Sequence, residues 1–241
     1  MPKGPAVNVE LNQLQKRLCD LLQSGLPLCR RPFEAIASSL DTDEAAVLRE
    51  VSYLRSIGII RRLGPMLDYR VLGKVSTLVT AHVDSDSIDA VAGVISSLSG
   101  VSHNYLRQHH YNLWFTLQAD SMAALDDTVT SLSSRLGVVF HSMPAIHFFK
   151  LDVRFPISGP SAQSDTQAHV VNRPVAVLTE SEKESLMWLQ NGLDVTSEPF
   201  SSGPPDVLKT LRGLLEKGVI RRIAASLDYR RLGFVANAMF C

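Results

Sequence analysis

Gly58-Ile59-Ile60-Arg61-Arg62-Leu63-Gly64-Pro65-Met66-Leu67-Asp68-Tyr69-Arg70-Val71-Leu72-Gly73 returns 160 positions later as Gly218-Val219-Ile220-Arg221-Arg222-Ile223-Ala224-Ala225-Ser226-Leu227-Asp228-Tyr229-Arg230-Arg231-Leu232-Gly233, with ten of the sixteen residues identical. Upstream, Pro32-Phe33 matches Pro199-Phe200 at an offset of 167, so the second copy is shorter by 167 − 160 = 7 residues between these landmarks. Identity sustained at one offset marks a duplicated unit. The shortening falls on Ser201-Ser202-Gly203-Pro204-Pro205 and predicts loss of part of a helix there.

Working outward, residues 9–57 carry helical periodicity. Leu11, Leu14, Leu18, Leu21 and Leu22 share one face, followed by Phe33, Ile36, Ala37 and Leu40. Asp41 or Thr42 is the expected cap of a third helix, with Asp43 and Glu44 in its first turn and Val47, Val51 and Leu54 as its buried stripe. A glycine stop at Gly58 and a short strand over 59–63 complete a winged helix-turn-helix. Residues 75–155 then alternate: a β-branched strand at 75–83, a helix stripe of Ile88, Val91, Ala92, Ile95 and Leu98, and a hairpin from 101–107 and 112–119. A second stripe (Met122, Leu125, Val129, Leu132, Leu136) and a strand within 138–155 follow. The order βαββαβ predicts a ferredoxin-like layer of helices on an antiparallel sheet.

The expected class is therefore α+β, with a winged helix-turn-helix over 9–74, a ferredoxin-like domain over 75–155, a Ser/Gly/Pro/Gln linker over 156–177, and a second winged helix-turn-helix over 178–241. Residues 235–241 match only the opening strand of a second ferredoxin-like domain. One strand neither satisfies its backbone nor buries a face. This predicts either a piece of a longer duplicated protein or a strand completed by another chain. Tyr69 and Tyr229, in the repeated Leu-Asp-Tyr-Arg, are expected to pack each wing onto the domain after it.

Composition narrows the function classes. Among 241 residues, 45% are hydrophobic and 20% charged, and 24 Lys+Arg balance 24 Asp+Glu. That excludes disorder and a generic polyanion binder, though not a local basic site. No apolar run reaches the eighteen or so residues of a membrane span, and the N-terminus has no signal-like apolar stretch, so no membrane partner is expected. Cys19, Cys29 and Cys241 lack CxxC or Cys/His spacing, which predicts reduced thiols in a cytoplasmic setting and no protein-built metal site.

The chemistry concentrates in Val101-Ser102-His103-Asn104-Tyr105-Leu106-Arg107-Gln108-His109-His110-Tyr111-Asn112-Leu113-Trp114-Phe115-Thr116. A period of two puts Val101, His103, Tyr105 and Arg107 on one strand face. His109, His110 and Tyr111 crowd the hairpin tip. Imidazole, phenol and guanidinium in one row supply cationic donors for carboxylates and a proton donor near neutrality. The bland reading is a solvated hairpin with incidental histidines. His82, His141 and His147 lie in or beside strands and are read as structural.

A winged helix-turn-helix followed by βαββαβ resembles the Lrp/AsnC transcription regulators, which implies DNA binding and small-ligand sensing. The third helix opposes that reading. It carries Asp43, Glu44 and Glu50 against Arg49 and Arg55, where a recognition helix should be net positive, so DNA is not the expected partner. Gln23-Ser24-Gly25-Leu26-Pro27-Leu28, Arg31-Pro32-Phe33, Ile60-Arg61-Arg62-Leu63-Gly64, His103-Asn104-Tyr105-Leu106-Arg107, Tyr111-Asn112-Leu113-Trp114-Phe115-Thr116 and Phe149-Lys150-Leu151-Asp152-Val153-Arg154-Phe155 resemble the siroheme (sirohaem) decarboxylases, Lrp/AsnC-like enzymes of heme d1 and alternative heme biosynthesis.

The resemblance implies removal of two acetate carboxyl groups of siroheme as CO2, giving 12,18-didecarboxysiroheme. It implies no cofactor beyond the iron of the substrate. It also implies a homo-oligomer or a related partner subunit joined through the ferredoxin-like domain. On this reading His103 and Tyr105 serve the reacting acetates and Arg107 holds a carboxylate. Tyr111 is a further substrate contact, and one of His109 or His110 approaches the iron or binds a rim carboxylate, the sequence leaving both open. Arg61 and Arg62 on the wing, and Lys150 and Arg154 at the rim, are further substrate contacts, set against ordinary solvated charge.

Overall fold

The structure, a computed structural model, describes residues 9–145, 156–159 and 173–234. The expected strand at 235–241 lies outside them. The chain forms two compact units. One contains the described residues 69–145 and 173–175, the other 9–68, 156–159 and 176–234.

The second of these units begins with three helices, α1 (Gln13–Ser24), α2 (Pro32–Ser39) and α3 (Glu44–Ser56), the helix-turn-helix expected from the periodicity. Asn12 and Gln15 cap α1 reciprocally, side chain to backbone in both directions (2.8 and 3.0 Å). The cap of α3 is Asp43, whose carboxylate accepts from the Ala46 N–H at 2.7 Å, rather than Asp41 or Thr42. Asp41 instead turns the chain with a left-handed backbone (φ 55°), which moves the cap two residues on. Leu18, Leu22, Phe33, Val47, Val51 and Leu54 are fully buried between the helices. Cys19 is buried with them, and burial, assisted by the neighbouring Asp20 carboxylate, pushes its thiol up to about 12.

The strand expected at 59–63 is longer, β1 (Ile60–Leu67), and its partner is its own repeat. It pairs antiparallel with β6 (Ile220–Leu227), which follows α6 (Glu180–Gln190) and α7 (Val207–Glu216). Gly64 lies opposite Ala224, Ile60 opposite Leu227 and Leu67 opposite Ile220. Since 64 and 224, 60 and 220, and 67 and 227 are equivalent positions, a pseudo-twofold axis passes through the Gly64–Ala224 pair. The contacts repeat accordingly: Asp68 N–H donates to Val219 O (3.0 Å) as Asp228 N–H does to Ile59 O (2.8 Å), and Leu193 N–H to Leu63 O (2.8 Å) as Leu26 N–H does to Ile223 O (2.6 Å). This is an isologous interface enclosed in one chain. Between Gln190 and Val207 there is no α-helix, and Gly203-Pro204-Pro205 lies in turns, where prolines withhold donors from a ladder. Tyr229 donates its hydroxyl to Gln23 Oε1 (3.0 Å) on α1, whereas Tyr69 is 43% exposed.

The interface carries a part-buried ionic contact. Arg61 Nη2 donates to Asp228 Oδ2 at 2.8 Å. Burial alone would raise the Asp228 carboxyl. The Arg61 guanidinium and the Arg230 and Arg231 backbone N–H groups outweigh it and hold the group below the usual carboxylate range. Because the folded form binds its proton less readily, this contribution is complete above about pH 4 and fades as pH falls through the lower folded value. Asp228→Asn is therefore expected to lose about 1–3 kcal/mol at neutral pH. Its stability gap from the parent chain should close on acidification below about pH 4 in denaturant melts; a gap independent of pH there would refute the assignment.

The other unit holds the ferredoxin-like domain, with β2 (Val75–Ala81), α4 (Ile88–Ser96), β3 (Val101–Leu106), β4 (Leu113–Ala119), α5 (Met122–Leu136) and β5 (Phe140–Pro144). The antiparallel sheet runs β3-β4-β2-β5, with α4 and α5 on one face. Val79, Ala81, Leu113, Phe115, Leu117 and Phe140 meet Val91, Ile95, Leu125, Val129 and Leu132 in a closed core.

Candidate functional site

Alternation decides which side chains leave this core. With Val79, Ala81, Leu113, Phe115 and Phe140 buried beneath the helices, the intervening residues project from the helix-free face. Strand register then sets Tyr105, Trp114, Thr80 and His141 side by side in a row across all four strands. The next row holds His103, Thr116, Leu78 and Met143.

One expectation needs correction. Val101 does not share a face with His103 and Tyr105. Val101 pairs with Leu117 and His103 with Thr116, so Ser102 is an extra residue, a β-bulge. Val101 packs against the core, and the bulge turns His103 onto the helix-free face beside Tyr105. Asn104, between them, points the other way. Its Nδ2 donates to Ala92 O and Ser96 Oγ of α4, both at 3.1 Å, which pins the edge strand.

His103 and Tyr105 stack with ring centroids 5.9 Å apart and 20° between planes. The Arg107 guanidinium lies over the Tyr105 ring, 4.9 Å from its centroid. Arg107 Nη2 is buried and has no hydrogen-bond partner among the described residues. A buried, unsatisfied guanidinium N–H costs about 1–3 kcal/mol or more, and an anion accepting from it would remove that cost.

The hairpin tip is held in one shape. Asn112 clamps Val83 through both backbone groups, accepting from Val83 N (2.9 Å) and donating to Val83 O (2.7 Å). Trp114 Nε1 donates to Tyr111 O (2.6 Å), and Tyr111 N donates to His109 Nδ1 (3.2 Å). His82 Nδ1 bonds His110 O at 2.6 Å and stacks on the His110 ring at 4.6 Å. From there a run of rings continues through Tyr111 (5.0 Å from His110) to His141 (5.3 Å from Tyr111). His82 and His141, read from sequence as structural, thus belong to the cluster. Counting alternate positions on β2 and β5 places His141 on the helix-free face, but only the sheet order brings it to Tyr111.

Arg61 and Arg62 lie in the other unit, at the contact between repeats. Arg61 is bound to Asp228 as described, and Arg62 Nη1 donates to Gln190 O at 3.0 Å. Gly192 sits tightly over Arg62: at its φ of 89° an added Cβ would come 2.9 Å from Arg62 Cγ. Lys150 and Arg154 fall outside the described residues. In this helical unit a depression of about 540 Å³ is lined by Arg30, Glu198, Phe200, Val207 and Arg212, but Arg30 is committed to Glu198 (2.9 Å) and Arg212 to Leu28 O (2.8 Å). Among the described residues no group of three or more His, Cys, Asp or Glu is placed to hold a metal ion, and no helix is long and apolar enough to cross a membrane.

Comparison with known proteins separates the two units in the same way. Residues 15–61 match the model of the siroheme decarboxylase NirDL-like HTH domain, and residues 72–150 that of the AsnC-like ligand binding domain. The chain is 32% identical over 232 residues to a siroheme decarboxylase of Hydrogenobacter thermophilus, covering 92% of this chain and 69% of that one. It is 32% identical over 238 residues to the siroheme decarboxylase NirDL subunit of Paracoccus denitrificans, covering 95% of this chain and 71% of that one. A solved siroheme decarboxylase NirDL, 28% identical, superposes with a TM-score of 0.66 over 89% of this chain, which spans 65% of that chain's length. A second crystal structure of NirDL, in complex with an iron-uroporphyrin III analogue, gives 0.64. An AsnC family transcriptional regulator from Agrobacterium tumefaciens, 18% identical with a TM-score of 0.53, shares the fold.

Proposed function

Because this chain belongs to the siroheme decarboxylase family, we propose that the helix-free face of its four-stranded sheet binds siroheme and removes two of its acetate carboxyl groups as CO2, the carboxy-lyase reaction that yields 12,18-didecarboxysiroheme. The observation that carries this reading is the buried Arg107 Nη2, without a hydrogen-bond partner among the described residues, beside the stacked His103 and Tyr105. Siroheme carries eight carboxylates, so its site needs fixed cationic donors next to groups that deliver protons.

In this reading Arg107 binds the carboxylate of a reacting acetate and holds the bond to be broken against the His103–Tyr105 pair. The macrocycle accepts the electron density released when CO2 leaves, and no cofactor beyond the substrate's iron is required. The residues of this chain orient the acetate, exclude water from it and return a proton to the carbon. His109, His110 and Tyr111 line the neighbouring rim. Arg61 and Arg62 take the role their contacts give them, joining the repeats. Residues 178–241 are read as a second, reduced winged helix-turn-helix, and the partner as a related subunit or second copy meeting the ferredoxin-like domain in the cytoplasm. Relatives named as subunits, such as the siroheme decarboxylase NirD subunit of Stutzerimonas stutzeri (36% identical over 153 residues), support that arrangement.

Anaerobic incubation of the purified chain with siroheme, followed by mass spectrometry of the pigment, tests the reading. Loss of two CO2 units is the expected result, and His103→Ala should lower the rate by about 10²-fold or more. Absence of both pigment binding and mass loss would overturn it.

A further inference from the structure

Each acetate that becomes a methyl group needs its own proton, and a second group of imidazole and phenol rings exists besides His103 and Tyr105. His103 and Tyr105 form the first, on edge strand β3. In the second, Tyr111 of the β3–β4 hairpin meets His110 at 5.0 Å and His141 at 5.3 Å, the latter with 73° between the planes, and of these two imidazoles only His141 stands on a strand of the sheet. His141 stands on the far edge strand, β5, in the very row that contains Tyr105. Neither Tyr111 Oη nor a His141 ring nitrogen is hydrogen-bonded among the described residues, and the same holds for Tyr105 Oη. The Asn112 and Trp114 hydrogen bonds fix the backbone that presents Tyr111.

Tyr105 and His141 are three strand spacings apart, about 14 Å along the row, the scale of a tetrapyrrole measured across its acetate arms. We propose that Tyr111 and His141 are a second proton-delivering pair, serving one acetate of siroheme while His103 and Tyr105 serve the other. This rests on the decarboxylase reading above. In each step the bond between the methylene carbon and the carboxylate breaks and its electron pair is shared between the methylene carbon and the macrocycle that bears it. One proton then completes the methyl group, so that R–CH2–CO2⁻ and H⁺ give R–CH3 and CO2 without net oxidation. The proton comes from the phenol or imidazolium and is restored from water, which reaches the exposed His141 ring.

The test follows the two carboxyl losses separately in a quenched anaerobic time course with siroheme, read by mass spectrometry. The parent chain should proceed to the pigment lacking two CO2 units. His141→Ala and Tyr111→Phe should accumulate the pigment lacking one, with the remaining step slowed by about 10²-fold, while siroheme binding, read from its absorption spectrum, persists. Tyr111→Phe keeps the ring and its packing, so that variant stays folded. Completion of both steps at the parent rate in both variants, or equal slowing of both steps, overturns the proposal. A parent chain that neither binds nor decarboxylates siroheme overturns the functional reading itself, and with it this one.

Discussion

Arg107→Ala is expected to lower kcat/KM for siroheme by about 10²–10³-fold, the equivalent of about 3–4 kcal/mol for a charged hydrogen bond made to the reacting group in a desolvated place. The guanidinium lies over Tyr105 and its Nη2 is shielded from water without a partner among the described residues, so removing it deletes a donor and exposes the Tyr105 ring face. Arg107→Lys should recover only a small part of the activity. An ammonium is a point charge without the planar fork, and it cannot keep both the Tyr105 stack and two parallel contacts to a carboxylate. Steady-state rates and pigment titrations for the two variants decide the matter. A kcat/KM within threefold of the parent chain for Arg107→Ala would remove Arg107 from the site.

Phe115→Ala is expected to destabilise the ferredoxin-like unit by about 3–5 kcal/mol, a large share of the 5–15 kcal/mol typical of a whole domain. Phe115 is fully buried at the centre of β4 and meets Phe140 edge to face, centroids 5.8 Å apart at 78°. The surrounding Val79, Leu125 and Leu132 are themselves buried and cannot collapse into the space it leaves. Because Trp114 and Thr116 flank Phe115 on the other face of the same strand, loosening the core also unsettles the site. Trp114 fluorescence in a urea titration, read in a Trp188→Phe background because Trp188 lies on α6 of the other unit, reports this unit; a midpoint unchanged by Phe115→Ala would contradict the packing described.

The residues most informative in sequence were those whose patterns are local. Helix stripes, the hairpin at 101–119 and the duplication all rest on spacings of a few residues or on direct identity, and each has its counterpart in the structure. Cases that needed more than spacing went astray. Alternation put Val101 with His103, but Ser102 occupies a bulge that breaks the period. Asp41 was an expected cap, yet it turns left-handed and gives the role to Asp43. His82 and His141 carried no signal in a single sequence because their meaning depends on neighbours 28 and 30 residues away, His110 and Tyr111.

By itself the sequence determined the helix-turn-helix, the βαββαβ order, the repeat and the strand on which His103 and Tyr105 stand, with Arg107 just past its end. Periodicity and identity are properties of the chain read in order. The tertiary structure decided that β1 and β6 close on each other about a pseudo-twofold axis, which commits Arg61 to Asp228. It also decided that β5 pairs with β2, which carries His141 into the row with Tyr105. Strand pairing joins residues distant in sequence through backbone groups that every residue shares, so no local pattern announces which strand lies beside which.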